Sequence, residues 1–309
     1  MASFLTSNLH CHAVKFSPFL ADKLAVASCE HFGFTGGGVL YLLELTQGVL
    51  KECGCVNWTS ALFDLAWSES YENLIAVASG DGVVQVRNVS SLDSPTLFQE
   101  HTLEVQSVDW NQAFILSGSW DSTVKVWDPE RQTSVMTFPT FSPVHCATWA
   151  PMSPNGFGCV TADGTLRIID TSIPQQVSVT NVFSGDVLAC AWSKHDNNII
   201  VTGGSDCSVK VWDTRNMTSC LIELTGCEYP IRKVQCSPHH RSTVASISYD
   251  LTTRIWDWES SDRCKEIIKH HSEFVYGLDF NQHRPGQLAD CAWDSLVHVF
   301  SPKSLRNLR

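Results

Sequence analysis

The 309-residue chain is short of positive charge: 21 Lys and Arg stand against 32 Asp and Glu, a net −11 with His neutral. Such a surface repels phosphate backbones, which argues against a nucleic-acid partner and favours basic ones. Charge of either sign is sparse, at 17% of residues against 43% hydrophobic, so disorder along the chain is excluded and there is ample material for a core. Long apolar runs are missing too. The stretch around residues 39–45 falls far below the ~20 residues that span a bilayer, and no direct membrane insertion is expected. No basic segment precedes Lys15, which argues against a secretory signal. The 13 Cys form no C-x-x-C pair, the closest being Cys53 and Cys55, and several (Cys146, Cys190, Cys236, Cys291) lie in apolar strand-like runs. These read as small buried hydrophobes of a reduced, cytosolic chain.

Catalytic and cofactor signatures are absent as well. Gly36-Gly37-Gly38 lacks the following Lys and helix of a phosphate-binding loop. The pairs His10 and His12, His239 and His240, and His270 and His271 lack the Cys or carboxylate spacing of a zinc site. The expectation is a protein that is not an enzyme and needs neither cofactor nor metal. Helical periodicity is missing over any long window.

What the chain does have is Trp, eleven of them, and a repeat. Trp127, Trp212 and Trp256 each follow Val or Ile and precede Asp. A short turn followed by alternating apolar residues recurs at Asp81, Asp121, Asp163, Asp206, Asp250 and Asp294, with spacings of 40, 42, 43, 44 and 44. This matches the ~40–45 residues of a four-stranded propeller blade. A further unit precedes Asp81, with His10 to Ser17 as its first strand and Gly36-Gly37-Gly38 in place of the turn Asp. The units span approximately 9–50, 57–95, 100–137, 140–178, 183–222, 226–265 and 270–302. One small sheet cannot bury both faces, whereas seven stacked around an axis can. The expected fold is therefore all-β, a single-domain seven-bladed β-propeller, with residues 4–7 the candidate outer strand of the last blade.

These units resemble the WD-repeat family, in which a His, a Ser or Thr, the turn Asp and a third-strand Trp form a hydrogen-bonded set. The third unit supplies His101, Ser119 (with Ser117 the alternative hydroxyl), Asp121 and Trp127. The fifth and sixth keep Asp206 with Trp212 and Asp250 with Trp256, but put Phe183 and Cys227 where His would be. The seventh keeps His271 and Asp294 with Phe300 for Trp, while Arg87 and Ile169 replace Trp in the second and fourth. Blades with incomplete sets are expected to rely on packing. A His, Ser and Asp together suggest a hydrolase, but a nucleophile needs an exposed hydroxyl and an oxyanion hole, and a buried polar network explains the set better.

The same resemblance locates a binding face, where partner contacts come from two first-strand bulge positions and the residue before the turn Asp. The first bulge position gives His10, Ala61, Glu104, Pro143, Asp186, Pro230 and Phe274, and the second His12, Phe63, Gln106, His145, Leu188, Arg232 and Tyr276. The third position gives Gly80, Trp120, Ala162, Ser205, Tyr249 and Trp293. Glu104 and Asp186 amid Phe63, Leu188, Trp120, Tyr249, Trp293, Phe274 and Tyr276 suit an amphipathic basic helix, whose aliphatic side chains pack on aromatics while an Arg or Lys finds a carboxylate.

Beyond the generic repeat, Lys15-Phe16-Ser17-Pro18-Phe19, Leu62-Phe63-Asp64-Leu65-Ala66-Trp67, Glu100-His101, Gly118-Ser119-Trp120-Asp121, Ile231-Arg232-Lys233-Val234, Ser248-Tyr249-Asp250 and His270-His271-Ser272-Glu273-Phe274 resemble the import receptors for the type 2, N-terminal peroxisomal targeting signal. The resemblance covers nearly the whole chain. It implies capture of an amphipathic helical nonapeptide with Arg near its start, on matrix proteins such as thiolase. It also implies an import co-receptor, docking proteins at the peroxisomal membrane, and cycling between cytoplasm and peroxisome. On this reading Glu104 receives the signal Arg, Asp186 is a second acid, and Phe63, Leu188, Trp120 and Trp293 form an apolar floor. Arg232 serves the co-receptor or a second contact. Relatives often carry an acid where this chain has Ser60, and Asp64 is expected to point into its blade rather than compensate. Trp212-Asp213-Thr214-Arg215 supports an alternative, a substrate adaptor of a ubiquitin ligase.

Overall fold

A computed structural model describes residues 1–92 and 94–306. Seven four-stranded antiparallel sheets stand around a central channel, six of them joined in sequence order from the channel outward, so the fold is a seven-bladed propeller. Their innermost strands are His10–Phe16, Leu62–Trp67, Val105–Trp110, Val144–Trp149, Val187–Trp192, Ile231–Cys236 and Val275–Phe280. The ring closes where Ala2–Leu5 pairs with Leu296–Phe300 as the seventh blade's outer strand. This strand begins and ends two residues earlier than residues 4–7, because Thr6 turns the chain: its hydroxyl donates to the carbonyls of Leu9 (2.8 Å) and Ser295 (3.1 Å).

The fourth strands of the first six blades run past the unit ends read from the sequence: Val49–Trp58, Thr96–Gln99, Ser134–Pro139, Val177–Asn181, Ile222–Leu224 and Cys264–Ile268. An outer strand buries little of either face, so its hydrophobic alternation is faint; Val177–Asn181 is exposed at almost every position. The core lies between blades. Leu116, Val124 and Val126 of the third blade pack on Val144, Ala147 and Trp149 of the fourth, and Trp127, Trp256, Phe98 and Phe157 are fully buried. Burying side chains of this size contributes about 2–3 kcal/mol each.

The recurring Asp is a turn device. In six blades its carboxylate accepts the amide N–H two residues on, at 3.0–3.2 Å, while the residue between is left-handed: Gly82, Ser122, Gly164, Cys207, Leu251 and Ser295. Only Gly takes that conformation without cost, so in four blades the Asp side chain holds a strained turn in place.

In the third blade His101 bridges Asp121 (Nδ1 to Oδ2, 2.7 Å) and Ser117 (Nε2 to Oγ, 2.7 Å), and the Trp127 indole donates to Ser117 (2.8 Å). The hydroxyl of the set is therefore Ser117 and not Ser119. Ser117 sits mid-strand between turn and Trp, whereas Ser119, at the turn, accepts the Asp121 amide and donates to the Leu103 carbonyl. Blades without the His do not fall back on packing alone. Arg167, Lys210 and Arg254, four residues after each Asp, reach back to Asp163 (3.0 Å), Asp206 (2.9 Å) and Asp250 (2.9 Å), and Trp212 and Trp256 keep their hydroxyl acceptors Thr202 and Ser246. In the seventh blade Asp290 takes the hydroxyl's place, accepting from His271 (3.1 Å) and His270 (2.8 Å), while His271 also holds Asp294 (2.9 Å).

Candidate functional site

Every innermost strand breaks register once against its neighbour, and the residue skipped is His12, Phe63, Gln106, His145, Leu188, Arg232 or Tyr276. A bulge turns one side chain out of the sheet. Here the seven turn toward the axis and fill one mouth of the channel, leaving a gap of only about 10 Å³. The residue before each turn Asp is tied to the preceding bulge position. Gly80, Trp120, Ala162, Ser205, Tyr249 and Trp293 donate their backbone N–H to the carbonyls of Ala61, Glu104, Pro143, Asp186, Pro230 and Phe274, at 2.9–3.1 Å. All three sets therefore share one end of the ring.

Two groups form there. One joins the sixth, seventh, first and second blades around Trp293, which stacks on Tyr276 (4.5 Å between centroids) and touches Phe274 (5.6 Å). Tyr249 packs on Phe274 and donates its hydroxyl to Tyr276. The Trp293 indole donates to His12 Nε2 (3.3 Å), and Phe63 packs against His12 (5.2 Å). Phe63 itself is buried, with Ser60 beside it near Gly80. The other group, on blades three to five, comprises Trp120, 40% exposed and edge-on to His145, with Glu104, exposed Asp186 and half-buried Leu188. The Glu104 carboxylate has no hydrogen-bond or ion-pair partner among the described residues, and an Asp186 carboxylate oxygen lies 3.5 Å from His145 Nε2.

Burial, and then the charge of Arg232, lower the His145 pKa, and the same two causes followed by the charge of His10 hold His12 down to about 3. Both rings are neutral at pH 7, so neither cancels Asp186. Two residues escaped the sequence reading. Phe32, in the loop 30–37 of the first blade, folds back through a left-handed backbone to stack on His10 (3.8 Å) and reach Trp293 (5.0 Å). The signal was the length of that loop. His145, read only as a bulge position, proves to link Trp120 to Asp186.

Asp64 is the correction. It faces the channel, not the blade, and binds Lys233 on the sixth blade across it (3.1 Å) while accepting the Val108 amide. One register step from the bulge, a side chain on an innermost strand points to the axis. Below the mouth the channel opens into a cavity of about 350 Å³ lined by Lys15, Asp64, Asp109, Lys194, Lys233 and Asp279, among others.

For metals, nitrogens of His270, His271 and His298 lie within 4.8 Å of one another. Asp290 and Asp294 occupy the first two, and Ser3 bonds His298 Nδ1 (2.8 Å), so the cluster reads as an imidazole–carboxylate relay. No helix among the described residues is long and apolar enough to cross a membrane.

Sheets, bulges and turn Asp define a WD-repeat propeller protein that presents an acidic, aromatic surface at one channel mouth. The WD domain, G-beta repeat family matches residues 93–128, 177–213 and 218–257. The chain is 39% identical to the peroxisomal targeting signal 2 receptor of Mus musculus, over 96% of this chain and 95% of that protein. It is 38% identical to peroxisome biogenesis protein 7 of Arabidopsis thaliana, over 94% of each, and 31% identical to the peroxisomal targeting signal 2 receptor of Saccharomyces cerevisiae, over 94% and 96%. It belongs to the family of peroxisomal targeting signal 2 receptors.

Proposed function

We propose that the chain captures the N-terminal type 2 signal of peroxisomal matrix proteins as a short basic helix laid across the mouth, and delivers them with a co-receptor to docking proteins at the peroxisomal membrane. The observation that carries this reading is the unpartnered Glu104 carboxylate beside exposed Trp120, in a chain of this family. A carboxylate without a cation next to an apolar face matches a helix with Arg on one side and aliphatic residues along it. Asp186 offers a second acid. Leu188, Trp120, Trp293, Phe274, Tyr249 and Tyr276 form the apolar strip, with buried Phe63 beneath it. Ser60, polar and uncharged, offers no acid on the second blade, so Glu104 takes the larger share of the signal Arg.

The ubiquitin-ligase adaptor gains no support. Trp212 is buried against Thr202, and Asp213 holds Arg215 through paired hydrogen bonds (2.9 and 2.6 Å), so the blade itself accounts for that tetrapeptide.

Titration of a synthetic type 2 signal peptide tests the proposal. Glu104→Arg should weaken binding at least tenfold, and replacing the peptide Arg with Glu should restore part of the loss. Unchanged affinity would remove Glu104 from the site.

A further inference from the structure

Two thiols from neighbouring blades meet inside the channel. Cys146 follows the bulge residue His145 by one step on the fourth blade, the position from which Asp64 and Lys233 point to the axis on the second and sixth. It is half-buried and borders the cavity of about 350 Å³. That cavity continues to Glu69 and Lys194, both exposed at the end of the ring away from the mouth, which gives small solutes a route in. Cys190, on the innermost strand of the fifth blade, lines the same cavity. Cys146 Sγ lies 3.6 Å from the Cys190 carbonyl oxygen and Cys190 Sγ 4.0 Å from that of Gly158 on the fourth blade, so each thiol leans toward the other's blade. The two side chains share a hydrogen bond. This bond lowers the Cys146 pKa against the opposing effect of burial, and the same bond, followed by burial, holds Cys190 well above the usual thiol range. Cys146 therefore ionises first, and the thiolate is the form that attacks.

We propose that Cys146 and Cys190 form a modification site, oxidised to an inter-blade disulfide by a hydroperoxide that enters through the cavity. The Cys146 thiolate attacks one peroxide oxygen, the O–O bond breaks, and hydroxide leaves as Cys146 becomes a sulfenic acid. The Cys190 sulfur then attacks the Cys146 sulfur. The S–S bond forms, and the sulfenic hydroxyl departs with the Cys190 proton as water. Two thiol sulfurs supply the two electrons that reduce the peroxide, and an external thiol reverses the modification by exchange. The site is independent of what the mouth binds. Its product joins the fourth and fifth blades directly beneath His145 and Leu188.

The whole chain is treated with hydrogen peroxide, free thiols are blocked with N-ethylmaleimide, and unreduced peptides are mapped by mass spectrometry over time. The expected product is a cross-linked pair carrying Cys146 and Cys190, lighter by the two thiol hydrogens and split by dithiothreitol. It should form about tenfold faster than Cys53 or Cys55 is oxidised, because those two thiols, although exposed on the first blade's outer strand, have their pKa values raised by burial of the sulfur and so hold less thiolate. In Cys190→Ser the reaction should stop at the sulfenic acid, which dimedone traps on Cys146. In Cys146→Ser, Cys190 should stay unmodified under the same treatment. Thermal unfolding checks that both variants fold, and the wild-type map decides the question without them. A map with no Cys146–Cys190 cross-link overturns the proposal. So does Cys146 joined to Cys159 of its own blade, or Cys53 and Cys55 oxidised while Cys146 is still intact.

Discussion

Arg232 and Lys233 are neighbours on one strand, yet they belong to two different kinds of structure. Lys233 faces the channel interior and meets Asp64 of the second blade, just as Lys15 meets Asp279 (3.2 Å). Arg232, lifted out by the bulge, faces the mouth and meets no carboxylate. The interior pairs Lys233 with Asp64 and Lys15 with Asp279, whereas at the mouth Glu104 has no cation, and Arg232 no carboxylate, among the described residues. Closed pairs hold a ring together, whereas open groups are competent to bind. Changes inside should therefore move stability without affinity, and changes at the mouth should move affinity without stability.

The largest expected effect is inside. Lys233→Met strands the Asp64 carboxylate, whose side chain is only 11% exposed. Breaking such a pair costs about 3 kcal/mol, at the low end for buried pairs because the site borders a cavity. The midpoint of thermal unfolding should fall by about 5–10 °C, and adding Asp64→Asn should recover part of it. Peptide affinity measured well below the midpoint should stay within about twofold. A variant that loses affinity while keeping its midpoint would mean that the interior takes part in recognition and that the division is wrong.

The seventh blade gives a second way to sharpen it. Burial lowers the His271 pKa, but the hydrogen bonds its ring donates to Asp290 and then Asp294 outweigh it and raise the ring to about 9. A pKa raised above the unfolded value of ~6.5 supplies stability that is complete below that pH and is lost as pH climbs toward about 9. The loss is on the order of 2–3 kcal/mol. Unfolding followed between pH 6.5 and 9 should show it, and His271→Gln should flatten the slope. A slope unchanged in the variant would show that His271 is not the group responsible.

The turn Asp was readable because a left-handed turn needs the same side chain in every blade, and a 40–44-residue period in so few charged residues stands out. The hydroxyl was misassigned because Ser117 and Ser119 share a strand face, and only the depth of Trp127 selects between them. Arg167, Lys210 and Arg254 stand in the sequence at a constant offset from Asp163, Asp206 and Asp250. Their role depends on which way the strand points them, and a repeat read without side-chain directions concealed it. The pairing of Asp64 with Lys233, 169 residues apart, follows from the closure of the ring and cannot be read locally. At the mouth, the bulge positions were accessible through the family pattern. That Glu104 lacks a cation, and Arg232 a carboxylate, among the described residues was not, because an unmade contact leaves no trace in a sequence.

The smallest expected effect tests the open side alone. Trp120 stands 40% exposed, and its one aromatic contact is an edge-on approach to His145 at 6.4 Å. Its indole has no hydrogen-bond acceptor among the described residues, unlike that of Trp293, which is tied to His12. Trp120→Ala therefore removes little from the folded chain, and the unfolding midpoint should move by no more than about 1 °C, as for a surface site. A signal helix whose Arg lies on Glu104 must pass Trp120, since the Trp120 amide is bonded to the Glu104 carbonyl (3.0 Å). Losing an aromatic anchor at the edge of an interface costs about 1–2 kcal/mol, so peptide affinity should fall roughly five- to thirtyfold. If the midpoint falls and the affinity holds, Trp120 is a packing residue, and the helix crosses the mouth on the Trp293 side instead.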